Sequence, residues 1–265
     1  MNLDLAGKSV IVTGAGSNIG RAIALAFGRE GAKVAIAEID EARGDKVASE
    51  CAAVGATAMA VPTDVTTLAS VQAMVRTVEQ RFGRVDVLVN NVGWVRDALF
   101  MEKPREEWER EVQINLWGMI NCTRTVLDGM VGRKAGAIVS MGSDAGRIGE
   151  FREGVYGACK AGIIALSKSI AREVGKFGIR LNVVCPGMTM PASDDDIGER
   201  SMWNAAENRA WRTDEMRARI AKAYPLRRVA TAEDVTGAVL FLASDAAAGF
   251  ITGQTVSVSG GYTMI

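Results

Sequence analysis

Tyr156 and Lys160 lie four positions apart in a stretch patterned as a helix, so their side chains share one face. A phenol with an ordinary pKa of about 10 is a poor base at neutral pH. An ammonium beside it favours the phenolate and lowers that value. Tyr156 could then take a proton from an alcohol or return one to a carbonyl oxygen. Ser143 precedes Tyr156 by thirteen residues and follows the apolar run 137–141. Its hydroxyl could hold the reacting oxygen about 3 Å from the phenol. Asn115, in Asn115-Leu116-Trp117-Gly118, falls in a long helical segment upstream. A Tyr-x-x-x-Lys pair alone arises easily on any helix surface, so its weight comes from what surrounds it.

Short β-rich apolar runs at 9–13, 33–37, 57–61, 85–90, 137–141, 180–185 and 255–258 alternate with helical patterns at 19–30, 41–54, 68–82, 105–130, 154–177 and 232–243. Val/Ile-rich runs without polar alternation suit strands covered on both faces, and strand–helix alternation predicts right-handed βαβ units. The expected fold is α/β: one domain over 1–265, with a mostly parallel seven-stranded sheet, doubly wound by helices on both faces. The segment 188–224 breaks the rhythm with Asp194-Asp195-Asp196, Trp203, Trp211 and many arginines. It is too long for an ordinary connection and is expected to form a partly helical flap over a site.

The first strand runs into Thr13-Gly14-Ala15-Gly16-Ser17-Asn18-Ile19-Gly20, and a helical pattern begins at once. Glycines let such a turn approach a pyrophosphate, which then sits on the helix N-terminus. Glu38 ends the second strand, 24 positions after Gly14. A carboxylate there accepts both adenosine ribose hydroxyls and repels the 2′-phosphate of NADP. No Arg or Lys stands in the turn, so the expected cofactor is NAD.

With these motifs in this order, the chain resembles the short-chain dehydrogenase/reductase family, of the NAD-preferring type, over essentially its whole length. The family's TGxxxGxG turn appears as Thr13-Gly14 to Gly20, with Asn18 in place of the middle glycine; Asn tolerates left-handed backbone best after Gly. Its Asn-Asn-Ala-Gly appears as Asn90-Asn91-Val92-Gly93. Ser143, Tyr156, Lys160 and Asn115 match its catalytic tetrad. The resemblance implies a Rossmann-type domain whose cofactor contacts are Gly14, Ser17, Asn18, Ile19, Glu38, Asp64, Val65, Asn91, Gly93, Tyr156, Lys160, Pro186, Gly187 and Thr189. Asp64 and Val65 would flank the adenine, and Pro186, Gly187 and Thr189 the nicotinamide carboxamide. It also implies that Lys160 bonds the nicotinamide ribose and that Asn115 supports a water chain from Lys160 to solvent.

Candidate substrate walls are Trp94, Asp144, Arg147, Arg152, Met188 and Trp203, with Val95 and Met190 beside them. The flap cations Arg200, Arg209, Arg212, Arg217, Arg219 and Lys222 make a solvated face or hold the phosphates of a coenzyme A thioester. The stretches 182–187, 249–254 and 257–261 look like those of alicyclic hydroxyacyl-CoA dehydrogenases of aromatic-acid degradation. The expected substrate is therefore a β-hydroxyacyl-CoA with a ring. Alternatives are a 3-oxoacyl-carrier-protein reductase, against which Glu38 argues, a dehydrogenase of a free cyclic secondary alcohol, and a non-enzymatic cofactor-binding partner subunit.

Lys+Arg and Asp+Glu balance at 31 each, so no global field draws the chain to nucleic acid or an anionic membrane. There is no histidine, and Cys51, Cys122, Cys159 and Cys185 form no CxxC pair. No metal is expected, and the cysteines read as small core residues of a reducing compartment. No signal peptide or membrane span is apparent, so a cytoplasmic location is expected. The segments 105–130 and 154–177 carry more apolar residues than one sheet-facing stripe requires. In the family such helices form an interface, so a homotetramer is expected, with a homologous second subunit left open.

Overall fold

The computed structural model describes residues 2–198, 201–204 and 210–265. Seven strands form one sheet in the order β3-β2-β1-β4-β5-β6-β7. They are β1 (Ser9–Thr13), β2 (Lys33–Glu38), β3 (Thr57–Pro62), β4 (Val87–Asn90), β5 (Gly136–Met141), β6 (Ile179–Pro186) and β7 (Thr255–Val258). Every pairing is parallel, so the sheet is wholly parallel where a mostly parallel one was expected.

The central strands are buried on both faces, as their unbroken apolar runs require. Side-chain alternation sends Val10, Val12, Val34 and Ile36 to one face. There they pack with α1 (Asn18–Arg29), α2 (Glu41–Ala53) and the late helix at Ala232–Ala243. Ile11, Ala35, Leu88 and Ile138 point to the other face, against α3 (Leu68–Phe82), the helix Gly118–Arg133 and the end of Gly154–Val174. Each fully buried Val, Leu or Ile contributes about 1.5–3 kcal/mol over its exposed state. The cysteines are all buried, and burial pushes the Cys51 thiol up to about 11 and Cys122 up to about 12. No helix among the described residues is long and apolar enough to cross a membrane.

Two expectations are corrected. Strand β4 begins at Val87, because Asp86 turns its carboxylate back to accept from the Ser9 amide at 2.9 Å. The helix expected over 105–130 is three pieces: α4 (Arg105–Glu111), a π-turn Val112–Trp117 and α5 (Gly118–Arg133). The flap is partly helical: among its described residues it has short 3-10 turns at Asp194–Asp196, Met202–Asn204 and Ala210–Arg212 and the helix Asp214–Ala221. Its Met190, Ile197 and Trp203 form a small core of their own, with Met188, Trp211 and Ile220 around them. Arg200 and Arg209 lie outside the described residues.

Candidate active site

In the strand order, β1 is flanked by β2 on one side and β4 on the other. Open α/β sheets bind ligands at such a reversal, beyond the C-terminal strand ends. A cavity of about 1480 Å³ opens there. Single-ligand pockets usually hold about 300–1,000 Å³, so this one has room for a dinucleotide and a second molecule.

The turn after β1 forms one wall. Asn18 has φ +40, the left-handed backbone expected of it. A Cβ on Gly20 would stand 2.1 Å from the Gly14 carbonyl oxygen, which explains the glycine as helix–turn packing. The Ser17 side chain makes no capping bond to α1, which leaves first-turn amides facing the cavity. Asn18 Oδ1 is buried without a partner. The free helix amides, as donors, fit a dinucleotide pyrophosphate at this turn. Glu38 reaches the turn: its carboxylate accepts from the amides of Gly16 at 2.9 Å, Ile39 at 2.9 Å and Asp40 at 3.2 Å.

Asn91, expected to touch cofactor, lines the cavity and also braces the turn. Its Nδ2 donates to the Thr13 and Gly14 carbonyls, both at 3.0 Å, and its amide donates to Thr13 Oγ1. Ile19, Asp64, Val65, Gly93, Pro186, Gly187 and Thr189 all line the cavity. Asp64 Oδ1 accepts from the Thr66 amide and hydroxyl, and Thr189 Oγ1 donates to the Gly187 carbonyl.

At the inner end Ser143, Tyr156 and Lys160 meet. Tyr156 and Lys160 occupy successive turns of α7 (Gly154–Val174), numbered after the short helix α6 (Ala145–Ile148). Ser143 stands close enough to the Tyr156 phenol to act against the burial that raises it, and Lys160 Nζ stands 5.5 Å from the phenol ring centre. Lys160 is 2% exposed and donates to the Met141 carbonyl at 2.9 Å. Asn115 sits in the π-turn. A methyl group built on Gly93 would lie 3.3 Å from both Asn115 Oδ1 and Lys160 Nζ, so the two side chains crowd the same glycine. Asn115 donates to the carbonyls of Trp94 at 2.7 Å and Glu111 at 2.8 Å, and accepts from the Trp94 amide at 3.1 Å. Both of its amide hydrogens are therefore committed to protein, and one lone pair of Oδ1 is left for a water.

The electrostatics overturn one expectation. The Tyr156 phenol is held above its ordinary value, first by burial and then by the neighbouring Glu153 carboxyl, with Ser143 opposing. The simple picture of an ammonium lowering it fails in the protein alone, because Lys160 lies along the ring and bonds a carbonyl. Burial pulls Lys160 itself down to about 8. Glu153 is pushed up to about 7 by burial and by Asp97 and Glu150.

The substrate walls are part as expected. Trp94, Arg152, Met188 and Trp203 line the cavity. Arg147 does not; its side chain is mostly buried and lies 3.8 Å from the Asp144 carboxylate. Asp144 touches the cavity, but its carboxylate turns away to accept from Ser257 at 2.8 Å and Thr263 at 2.5 Å. Arg212, Arg217, Arg219 and Lys222 are also absent from the cavity wall, so they cannot hold a ligand phosphate inside it. Sequence reasoning missed Tyr224 and Tyr262, stacked at 5.2 Å, and the Arg110 guanidinium 4.2 Å over the Trp94 ring. It also missed the buried Lys103–Glu111 pair.

A profile of the family described as enoyl-(acyl carrier protein) reductase (adh_short_C2) matches residues 14–263. The 3-oxoacyl-[acyl-carrier-protein] reductase FabG of Escherichia coli K12 is 37% identical over 263 residues, 99% of this chain and 100% of that protein. The enzyme of the same name from Staphylococcus aureus Mu50 is 36% identical over 258 residues, covering 97% and 98% of the two chains. Among solved structures, a short-chain type dehydrogenase/reductase from Mycobacterium marinum superposes with a TM-score of 0.88 at 30% identity, over 99% of this chain and 98% of that one. A putative short-chain alcohol dehydrogenase from Sinorhizobium meliloti 1021 gives 0.87 at 29%, over the same shares. Fold and site together define an oxidoreductase that uses a nicotinamide dinucleotide on a carbinol or keto carbon. The chain belongs to the short-chain dehydrogenase/reductase family.

Proposed function

We propose that this protein is an NAD-dependent enzyme that interconverts a secondary alcohol and a ketone, with a β-hydroxyacyl thioester bearing a ring as substrate. The observation that carries the reaction is the set of side chains at the cavity wall: Ser143 beside the Tyr156 phenol, with buried Lys160 one turn on. Ser143 orients the substrate oxygen towards the phenol. Tyr156 takes the alcohol proton in oxidation and gives it to the ketone in reduction. Lys160, held by the Met141 carbonyl, places positive charge beside the site as the proton moves. A bound dinucleotide supplies the hydride acceptor or donor. First-turn amides of α1, Ser17 and Asn18 hold its pyrophosphate, Glu38 its adenosine ribose, and Lys160 its nicotinamide ribose.

Glu38 supports NAD over NADP. Arg43 also lines that end, but its guanidinium donates to the Ile197 carbonyl at 2.5 Å and the Asp195 carbonyl at 3.3 Å, and pairs with Asp40. It is committed to holding the flap, which leaves no free guanidinium for a 2′-phosphate there among the described residues. The substrate end is walled by Trp94, Trp203, Trp211, Tyr224 and Tyr262, apolar faces that suit a ring. The second reading, reduction of a straight-chain 3-oxoacyl group on a carrier protein, is favoured by the names of the relatives.

The test is a turnover panel with NAD and NADP: cyclic and linear 3-hydroxyacyl-CoA thioesters, the matching free alcohols and, in reverse, 3-oxoacyl carrier-protein thioesters. Fastest NAD turnover on cyclic CoA thioesters supports the main reading. Fastest turnover on carrier-protein thioesters supports the second, and no turnover on any member refutes both.

A further inference from the structure

Lys103 and Glu111 form a buried ion pair that the proposed chemistry does not use. Their charged atoms are 2.5 Å apart, with side chains 2% and 0% exposed. Glu111 Oε1 also accepts from the Arg96 amide at 3.2 Å, while Oε2 is buried without a partner. A half-satisfied buried pair adds little stability compared with apolar side chains of the same volume. Its contribution is better sought in geometry.

That geometry is a ladder built from side chains. Glu111 and Asn115 stand four residues apart. Glu111 receives the Arg96 amide, and Asn115 both receives the Trp94 amide and donates to the Trp94 carbonyl. Two side chains one helical turn apart thus grip alternate residues of the extended stretch after β4. Two more reach the same stretch from the same helix: Glu107 pairs with the Arg96 guanidinium, and Arg110 lies over the Trp94 ring. Trp94 and Val95 of this strap line the cavity, and a side chain on Gly93 before them would press on Lys160. Lys103, in the turn that leads into α4, fixes the carboxylate that holds the strap.

We propose that Glu111, set by Lys103, is a positioning residue for the substrate wall carried by Trp94 and Val95, so that it governs substrate affinity and leaves dinucleotide affinity alone. The pair holds the strap at Trp94 and Arg96, beyond Asn91, the residue that braces the phosphate turn. The kinetic part of the inference rests on the proposed oxidoreductase activity; the structural part does not.

The test uses the full chain with two variants. The double variant Lys103→Met with Glu111→Leu removes both charges and keeps the volume, so it retains the fold. Glu111→Gln keeps an acceptor for the Arg96 amide and serves if the double variant does not fold. For each, KM and kcat are measured with the best substrate of the panel, and NADH affinity by fluorescence titration. Acrylamide quenching is compared with that of the matching Trp94→Phe protein, which isolates the Trp94 signal without any activity. The double variant is expected to raise KM at least tenfold, change NADH affinity less than threefold and expose Trp94 to quencher. Glu111→Gln is expected to do the same to a smaller degree. A folded variant with KM within twofold of wild type and Trp94 quenching unchanged overturns the proposal, as does a loss of NADH affinity equal to the loss of substrate affinity. Wild type inactive across the panel refutes the proposed activity, and Trp94 quenching then decides the positioning role by itself.

Discussion

The Glu38 carboxylate accepts the Gly16 amide at 2.9 Å, and a methyl group on Gly16 would stand 2.8 Å from that same carboxylate. The acid proposed to select the cofactor and the glycine of the turn after β1 are thus fitted to each other.

Removing the acid is therefore expected to change cofactor preference. Repulsion of a 2′-phosphate in a partly dry site is worth about 1–3 kcal/mol, roughly five- to 150-fold. Glu38→Ala should raise kcat/KM with NADP and lower it with NAD. Gly16→Ala, by pushing the carboxylate aside, should shift the ratio the same way without unfolding the chain. Steady-state kinetics with both cofactors check this; an unchanged ratio in Glu38→Ala refutes it.

Tyr156→Phe keeps the ring and removes the hydroxyl. The loss should be at least the ~10²–10⁴-fold of general acid–base catalysis, with NAD binding nearly unchanged. Lys160→Ala should lose activity and also weaken NAD, because of its proposed bond to the nicotinamide ribose. Retention of more than about a tenth of wild-type rate in Tyr156→Phe would exclude it as the proton-transfer residue.

The pH dependence follows from Lys160, pulled down to about 8 by burial. Below that value the ammonium is present and Tyr156 keeps its proton, so ketone reduction runs at full rate. Reduction kcat/KM should fall as pH rises through about 8. Oxidation needs the phenol ionised, and since burial holds Tyr156 high, it should still be climbing at that pH. Profiles of kcat/KM in both directions test this, the apparent values belonging to the coupled pair.

A stability prediction lies away from the site. Thr231 and Asp234 form a capping box on α9 (Ala232–Ala243), where α8 is Asp214–Ala221, and Arg228 bonds the Asp234 carboxylate. Those bonds hold its carboxyl at about 2, below its ordinary value. Its stabilisation is thus present above the ordinary carboxylate range and lost as pH falls through about 2. Asp234→Ala should cost about 0.5–2 kcal/mol in urea unfolding at neutral pH and leave kcat unchanged.

Assembly is predicted as a homotetramer. Phe250 is fully exposed, and Met264 and Ile265 are 79% and 69% exposed, side chains that a lone protomer leaves in water. Light scattering at micromolar concentration should give four times the protomer mass, and Phe250→Ser should lower it. A monomeric wild type refutes the assignment.

Most of the frame was legible because it is local. The apolar run of β1, the glycine turn and the four-residue step from Tyr156 to Lys160 each declare themselves within a few residues. What escaped depends on distant partners. Glu111 stands in a run, Arg105 to Glu111, whose charges look like a solvated face, and only the turn around Lys103 buries it. The π-turn escaped because the apolar spacing through 105–130 is helical throughout. Asp144 read as a pocket wall because it follows Ser143, but Ser257 and Thr263 claim its carboxylate from more than a hundred residues away.

That latch bears on how the enzyme fails under heat. Strand β7 is the last in the sheet, bonded only to β6, and its residues are half-buried. Edge elements of this kind open at lower free energy than the core. When β7 and the loop after it peel away, Asp144 loses Ser257 and Thr263 together, and the neighbouring Ser143 loses its anchor. Catalysis should then behave as a fuse that blows early: on warming, activity should decline several degrees before the helical signal in circular dichroism, and recover on cooling so long as the remaining six strands have stayed together.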